Sequence, residues 1–242
     1  LATLCAVTLT SALDAASLGV RAGTLHAVLG ENGAGKTTLM RVAFGMVAPD
    51  AGTVRVFGAA RRFASAADAI AAGIGMVHQH FTLVPSMTVA ENVALGRRGG
   101  YDARGAAERV RRLGEATGLV LDPAARAGAL GVAAQQRLEI VKALARDARL
   151  LILDEPGAVL SPRESAELLA WLRRHVDGGA TAVLITHKLR DALTWADDVT
   201  VLRRGRTVHA GAARGETEAS LVAAMLGDGA PDASGAAASG VA

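Results

Sequence analysis

The sequence predicts an α/β fold with a mainly parallel core sheet. Short aliphatic or β-branched runs alternate with alanine-rich helical segments, an order typical of a parallel sheet covered by helices. A Pro-Asp-Ala-Gly turn at 49–52, followed by the alternating run Thr-Val-Arg-Val, predicts an antiparallel β edge. The predicted core strands span residues 25–29, 75–77, 150–153, 182–186 and 199–202.

The chain divides into one long domain and a short terminal segment. Between residues 84 and 147 the strand signals fade and arginine-rich helical segments dominate, which predicts a helical subdomain. After Leu226 the chain reads GDGAPDASGAAASGVA, a composition typical of a linker or a disordered tail. We therefore expect a domain over residues 1–226 and a low-complexity segment over 227–242.

The composition indicates a soluble protein. Of 242 residues, 51% are hydrophobic, and the net charge of +3 is mild for a nucleic-acid binder, so no nucleic-acid partner is expected. The single cysteine, Cys5, excludes an internal disulfide and fits a reducing compartment. No apolar run reaches the roughly 18 residues of a membrane span, and the start of the chain lacks the layout of a signal peptide. We therefore expect any membrane contact to be made through a partner.

A phosphate-binding motif follows the first predicted core strand. Residues 30–38 read GENGAGKTT, which fits the P-loop pattern G-x-x-x-x-G-K-S/T between a strand and a helix. Its glycines let backbone N–H groups wrap around a polyphosphate. Lys36 is expected to reach the β- and γ-phosphates, and the Thr37 hydroxyl to bind Mg²⁺. The predicted nucleotide-binding residues are Gly30, Glu31, Asn32, Gly33, Ala34, Gly35, Lys36, Thr37 and Thr38.

Two carboxylates, Asp154 and Glu155, follow the apolar run Leu-Leu-Ile-Leu at 150–153. This run places Asp154 at the carboxyl end of a buried strand, where α/β proteins bind their ligands. Asp154 is expected to hold Mg²⁺ through water, and Glu155 to accept the proton of an attacking water. Alone, such a pair also fits an ordinary solvated strand end. With a P-loop upstream, it favours a site that hydrolyses a nucleotide.

Further motifs lie in a definite order along the chain. Gln79 follows the predicted strand GIGMV, and the helical insertion, LGVAAQQR, LLILDEP and finally His187 in VLITHK come after it. No Asn-Lys-x-Asp motif of guanine-binding proteins is present. The order resembles that of ATP-binding subunits of ABC transporters, up to Leu226. The resemblance implies a P-loop NTPase fold, an ABC-type nucleotide-binding domain, with ATP and Mg²⁺ as its ligands.

The same resemblance assigns roles to two residues outside the P-loop. Gln79 is implied to contact Mg²⁺ and to report to the permease. His187 is implied to touch the γ-phosphate and to position water, although in isolation it would be read as an ordinary strand-end histidine. With Lys36 and Glu155, these residues form the expected catalytic set, and Thr37, Gln79 and Asp154 the expected metal set.

Residues 76–96, MVHQHFTLVPSMTVAENVALG, allow a narrower comparison. They resemble the first half of tandem ATPases that drive uptake of nucleosides and simple sugars, and the nucleoside branch fits best. The segments DEPGAVLSPRE and VTVLRRGRTV agree with it. The resemblance implies an ATP-hydrolysing, energy-coupling subunit of a nucleoside importer, with a simple-sugar importer as the alternative.

The expected partners follow from the same comparison. They are a second ABC ATPase domain (the other tandem half or a second copy), transmembrane permease subunits and, indirectly, a substrate-binding protein. The expected location is the cytoplasmic face of the cell membrane, as a peripheral subunit. In the tandem proteins a linker follows a helix end like AAMLGDG at 223–229, so the resemblance leads us to expect that this chain is an isolated half of such a protein.

The chain departs from the family pattern where an adenine-stacking aromatic residue is usual. That position falls near Val7, and no aromatic residue precedes Phe44. Because base stacking contributes about 1–3 kcal/mol in comparable contacts, weak and poorly selective nucleotide binding is expected unless Phe44 or Phe57 supplies the ring. A second departure is Ser161, where many relatives carry aspartate. Ser161 also fits a capping box with Pro162 and Glu164, so a structural role is sufficient for it.

The third departure is the signature motif. Relatives place Leu-Ser-Gly-Gly-Gln at a helix start that clamps ATP held by the opposing domain, and here residues 130–134 read Leu-Gly-Val-Ala-Ala. Gly131 lacks the serine hydroxyl but remains an acceptable N-cap, and Ala133 adds a methyl group. The alternative is an ordinary helix cap over 130–137. The residues expected to contact the opposing nucleotide are Gly131, Val132, Ala133, Ala134 and Gln135.

Two other classes of function share these nucleotide motifs. A soluble ABC-type ATPase acting on nucleic acid or ribosomes usually carries a long coiled-coil, zinc-ligating or charged insertion, and the sequence has none. A regulatory module that binds ATP without hydrolysing it is the other class. The presence of Lys36, Glu155 and His187 argues against it.

Overall fold

The computed structural model describes residues 2–9, 12–96 and 100–227. Within this part of the chain, strands and helices alternate as the composition predicts. The strands are β1 (Ala2–Leu9), β2 (Leu13–Val20), β3 (Leu25–Leu29), β4 (Ala51–Val56), β5 (Ala59–Arg61), β6 (Ile74–Val77), β7 (Leu150–Asp154), β8 (Thr181–Ile185), β9 (Asp198–Arg203) and β10 (Arg206–Ala212). The helices are α1 (Lys36–Ala43), α2 (Ala66–Ala71), α3 (Val89–Ala94), α4 (Ala103–Thr117), α5 (Val132–Leu144), α6 (Pro162–Asp177), α7 (Leu189–Trp195) and α8 (Glu218–Leu226).

The core sheet has the strand order β10-β9-β3-β8-β7-β6. Its strands run parallel except β10, which forms an antiparallel hairpin with β9. The predicted α/β fold with a mainly parallel sheet is therefore confirmed. Predicted strand 25–29 matches β3, and the other four predicted core strands end within one residue of β6, β7, β8 and β9. Continuous aliphatic runs made these strands easy to find, because parallel strands are buried on both faces.

The predicted antiparallel region is confirmed, and it forms a sheet of its own with the order β2-β1-β4-β5. Strand β4 lies where the turn at 49–52 predicts it. Strands β1, β2, β5 and β10 were not predicted. Alanine, serine and glycine dilute the β-branched residues in these segments, so their strand character comes from pairing with neighbours more than from local preference.

Helices α3, α4 and α5 lie between β6 and β7, where the helical subdomain is predicted. Apart from one isolated bridge between Thr88 and Arg126, the described residues of 84–147 contain no β-structure. Helix α8 ends at Leu226, and residues 228–242 of the predicted tail lie outside the described residues. In the described ranges no helix has the length and hydropathy needed to span a lipid bilayer.

The side chains of β7 alternate between two cores. Leu150 and Ile152 belong to the core between the two sheets and α1, whereas Leu151 and Leu153 face the core shared with α5 and α6. Because side chains alternate along a strand, Asp154 follows Leu150 and Ile152 toward α1. This alternation determines which carboxylate approaches the P-loop.

Candidate nucleotide site

Several predicted site residues converge at one edge of the core sheet, the edge formed by the carboxyl ends of its parallel strands. Register pairs Val28 of β3 with Ile185 of β8, and Ile185 with Asp154 of β7. Val77 of β6 lies beside Leu153. The segments that leave these strands therefore begin side by side: the P-loop after β3, His187 after β8, Glu155 after β7 and Gln79 after β6. The structure thus groups Gln79, His187 and the two carboxylates at the sheet edge that carries the P-loop.

The P-loop connects β3 to α1 through backbone that requires glycine. Gly30 has φ +151°, and a Cβ there would lie 2.4 Å from the carbonyl oxygen of Leu202. Gly35 has φ +101°, and its Cβ would lie 3.0 Å from the Ala12 carbonyl oxygen. The loop also bonds to the β9–β10 turn, where the Gly205 N–H donates to the Ala34 carbonyl at 3.0 Å. Neighbouring backbone therefore shapes the loop from outside.

Lys36 fills the interior of this loop. Its side chain is buried, and Nζ donates to the carbonyl oxygens of Gly30 at 2.7 Å and Glu31 at 3.0 Å. Burial lowers the pKa of Lys36, and the nearby Glu155 and Asp154 carboxylates oppose that shift. A phosphate would provide the ammonium group with a charged partner in place of two neutral carbonyl groups.

Thr37 and Asp154 form the oxygen pair predicted for Mg²⁺. The Thr37 hydroxyl donates to Asp154 Oδ1 at 3.2 Å, and Asp154 is 2% exposed. Burial raises the pKa of Asp154, and the Thr37 hydrogen bond opposes this. Within the described ranges, no group of three or more His, Cys, Asp or Glu side chains could hold a metal ion. The hydroxyl and the carboxylate are hard oxygen donors that suit Mg²⁺ bound together with phosphate oxygens.

Glu155 and His187 form a second pair beside the first. Glu155 Oε2 lies 3.5 Å from His187 Nδ1; the Glu155 side chain is 16% exposed, and that of His187 is 52% exposed. Glu155 has φ +46°, a left-handed conformation that is uncommon for a residue other than glycine. Its N–H donates to the Ile185 carbonyl at 3.0 Å, which holds the turn against β8. A carboxylate in partial contact with solvent, next to an imidazole, can accept a proton from water.

The segment 131–135, at the start of α5, forms its hydrogen bonds with neighbouring residues. Gly131 is the N-cap of α5 with φ −63° and ψ 158°, and it makes no side-chain capping bond. The Gln135 amide donates to the carbonyls of Ala127 and Leu130. In the described part of the chain, no hydrogen bond or ion pair joins 131–135 to the P-loop, Asp154 or Glu155. Among the described residues, the hydrogen bonds of this segment besides the regular ones of α5 thus stay within 127–135 and do not involve the P-loop.

The two aromatic rings considered as substitutes for the adenine platform, Phe44 and Phe57, both have packing partners within the chain. Val7 is buried in β1, and Phe44 is 5% exposed with its ring edge against His78. The Arg149 guanidinium lies 3.9 Å from the centre of the Phe57 ring and covers one face. The ring of Phe44 therefore belongs to the core and is not exposed for stacking on a base. Phe57 is partly buried and packs against the same core.

The capping box at Ser161 and the turn after β9 can both be related to the local sequence. Ser161 begins α6 with the predicted capping box, since its side chain accepts from the Glu164 N–H and the Glu164 carboxylate accepts from the Ser161 N–H. Leu202 lies in the predicted strand 199–202, but the contacts that Leu202 and Gly205 make with the P-loop were not predicted. The Arg-Gly turn at 204–205 between two strands is a hairpin signal that could have located them.

The parallel sheet, the glycine loop around Lys36 and the carboxylates at the same edge define a P-loop nucleotide-binding domain. The chain belongs to the ABC transporter family, whose model matches residues 13–158. Similar solved structures include cbiO1 from Clostridium perfringens, with a TM-score of 0.78 and 24% identity over 88% of this chain and 89% of that one. The ADP conformation of MJ1267, an ATP-binding cassette of an ABC transporter, has a TM-score of 0.82 and 22% identity over 94% of this chain and 98% of that one. These two structures support the fold.

Curated relatives include the glucose import ATP-binding protein TsgD13 of Haloferax volcanii, which is 42% identical over 88% of this chain and 45% of that protein. The nucleoside import ATP-binding protein NupA of Lactococcus lactis is 41% identical over 88% of this chain and 43% of that protein. The ribose import ATP-binding protein RbsA of Chelativorans is 43% identical over 90% and 43%, respectively. The chain thus spans about half the length of these relatives.

Proposed function

We propose that this chain binds ATP with Mg²⁺ and hydrolyses it to ADP and phosphate as the energy-coupling ATPase domain of an importer. The observation that carries this proposal is the convergence at one sheet edge of a buried ammonium group, an oxygen pair and a carboxylate–imidazole pair. Family membership and import ATP-binding relatives support it.

Each site residue has a role that follows from its position. Lys36 and the backbone N–H groups of residues 30–38 bind the phosphates, because a cation and a helix start both attract negative charge. Thr37, Asp154 and Gln79 hold Mg²⁺, which when bound neutralises charge on the phosphate oxygens. Glu155 accepts a proton from the attacking water at its carboxylate, and His187 orients that water beside it. Gln79, which follows β6 at this edge, also connects the site to the helical region.

The partners in this proposal are a second ABC ATPase domain and transmembrane permease subunits at the cytoplasmic face of the membrane, with a substrate-binding protein acting indirectly. The second domain is supported by segment 131–135, in which Val132 is exposed and which has no hydrogen bond to this chain's own P-loop, Asp154 or Glu155 among the described residues. It is also supported by relatives about twice as long as this chain, one of which imports nucleosides by name.

We propose nucleosides as the transported substrates, because residues 76–96 fit the nucleoside branch. Simple sugars are the second candidate, supported by relatives named for glucose and ribose import. The test is to purify the native complex, identify its membrane subunits by mass spectrometry and reconstitute it in vesicles. ATP-dependent uptake of nucleoside, with no uptake of ribose or glucose, is the expected result. A complex without membrane subunits would instead favour an ATPase that does not work in transport.

Nucleotide titration tests the missing aromatic platform. Because Val7 is buried in β1 and Phe44 is enclosed, we expect this chain to bind ATP weakly and to discriminate poorly against GTP. Loss of a stacking contact of about 1–3 kcal/mol corresponds to roughly five- to a hundredfold in affinity. Calorimetry with Mg-ATP and Mg-GTP on the purified chain measures both. Tight and strongly adenine-selective binding would contradict the expectation.

A further inference from the structure

The middle of α5 carries a buried carboxylate that the nucleotide site does not use. Glu139 is 1% exposed and lies in sequence between Leu138 and Ile140, both of which are fully buried. A carboxylate in such surroundings is costly unless it is paired and hydrogen-bonded. The partners of Glu139 therefore indicate what it does.

Glu139 binds a single residue of the loop between β6 and α3. Its Oε1 accepts a hydrogen bond from the Thr82 N–H and another, at 3.0 Å, from the Thr82 hydroxyl. On the same helix, Lys142 Nζ lies 2.8 Å from Glu139 Oε2. Lys142 also donates to the Thr82 hydroxyl at 2.8 Å and to its carbonyl at 3.3 Å. The N–H, the carbonyl and the hydroxyl of Thr82 are thus all bound to α5.

A second anchor holds the rest of this loop. Asn92 of α3 is fully buried, and its side-chain oxygen accepts from the Val84 N–H at 2.8 Å. Its amide donates to the carbonyls of Val84 at 3.1 Å and Thr88 at 3.0 Å. Residues 82–88 are therefore fixed to the helical region. Only the short stretch 78–81, which contains Gln79, separates the end of β6 from the first anchor.

Helix α5 connects this anchor to the segment 131–135. Glu139 and Gly131 lie on one helix, so at a rise of 1.5 Å per residue they are about 12 Å apart along its axis. Leu138, Ile140 and Val141 pack the helix into the core beside β7. A rigid, packed helix can carry a displacement from one end to the other. A loop moves with the helix only where hydrogen bonds or ion pairs connect the two.

We propose that Glu139, with Lys142, is a positioning residue that ties the Gln79 loop to α5, so that Gln79 at this chain's nucleotide and segment 131–135 at the opposing nucleotide move as one unit. This inference rests on the proposed roles of Gln79 and 131–135. The two members of the Glu139–Lys142 pair both lie on α5, and their bonds to Thr82 are the contacts that join this helix to the loop. Thr82 is exposed apart from these bonds, which makes it accessible to a mild test.

The experiment compares Thr82→Val and the double variant Glu139→Leu/Lys142→Met with the unmodified assembled complex. The double variant removes both charges together, so no unpaired ion is left buried. We expect amide exchange in 79–88 to accelerate at least about tenfold in the double variant, and less in Thr82→Val, which keeps the Thr82 N–H bond. The turnover number for ATP should fall about tenfold, while the KM and the dissociation constant for Mg-ATP stay within about twofold.

Two matched variants separate positioning from general stability. Thr82→Ser keeps every bond to Glu139 and Lys142, so it should restore both exchange protection and turnover. Glu167→Gln breaks the exposed 3.0 Å ion pair with Arg163 on α6, and it should change neither. The proposal is overturned if exchange in 79–88 is unchanged in both test variants. It is also overturned if exchange rises throughout the chain while KM and turnover change in parallel.

The exchange measurement separates this inference from the proposed function. If the unmodified complex did not hydrolyse ATP, the proposed function would fail, yet the effect of Glu139 on the 79–88 amides would still be measured. If ATP were hydrolysed and the amides of 79–88 remained protected from exchange in the double variant, only the proposed connection between α5 and the Gln79 loop would be wrong. Should the double variant not assemble, Thr82→Val alone decides, because it leaves the buried pair in place.

Discussion

Glu155→Gln is expected to lower ATP turnover by the assembled complex at least about a hundredfold while leaving Mg-ATP binding nearly intact. Glutamine preserves the size of the side chain and its place 3.5 Å from His187, but an amide cannot accept the proton of an attacking water. Binding persists because the Lys36 and Thr37–Asp154 contacts are unchanged. Steady-state turnover and equilibrium titration on the same preparation measure the two quantities.

Two further variants make this result interpretable. Lys36→Ala removes the ammonium group inside the P-loop and should weaken binding itself, which separates loss of binding from loss of chemistry. Glu218→Gln breaks an exposed 3.0 Å contact with Arg190 and should leave both quantities unchanged. Turnover by Glu155→Gln at the original rate would show that Glu155 is not the base.

The second large effect concerns the two nucleotides of an assembled pair of domains, which we expect to be hydrolysed at unequal rates. The P-loop side of this chain carries its full set of predicted groups, whereas segment 131–135 has glycine in place of serine and an added methyl group at Ala133. A lost hydrogen bond to a charged group costs about 1.5–3 kcal/mol, or roughly ten- to a hundredfold in rate. ATP on this chain's own P-loop should therefore turn over, and ATP held by the partner against 131–135 should be retained.

This prediction can be tested by restoring the serine and glycine of the signature motif at positions 131 and 133, and the structure has room for the change. A Cβ at Gly131 would meet nothing within 4 Å, and its φ of −63° suits serine. Gly131→Ser with Ala133→Gly should raise hydrolysis at the partner's nucleotide about ten- to a hundredfold in single-turnover assays that resolve the two sites. Ala129→Ser, an exposed change just before the segment, is the control. Equal turnover at both sites of the unmodified complex contradicts the hypothesis, as does a defect confined to the site on Lys36.

The local sequence pattern was sufficient to predict a structural feature wherever that feature depends on residues close together in the chain. The buried run 25–29 and the glycines after it predict a strand, a phosphate loop and a helix, because each feature follows from sequence spacing within one βα unit. Asp154 could be placed at a strand end for the same reason. The capping box at Ser161 was also predictable, since its bonds join residues only three positions apart.

Other features depended on residues distant in sequence. Strands β1 and β2 exist because they pair with each other and β1 also pairs with β4, since their alanine-rich segments have only a modest strand preference. The burial of Phe44 likewise depends on a core assembled from both sheets, and this removed it as a candidate for binding adenine.

The amino-acid sequence by itself determined the α/β class, the P-loop, the carboxylates at the end of β7 and the position of α5, because each depends on periodicity or on contacts between near neighbours. Only the tertiary structure decided that Leu202 and Ala12 shape the P-loop and that Glu139 binds Thr82. Glu139 and Thr82 are 57 positions apart. Their bond forms because folding brings a loop against a helix face where a buried carboxylate must find hydrogen-bond donors, a requirement that no local pattern encodes.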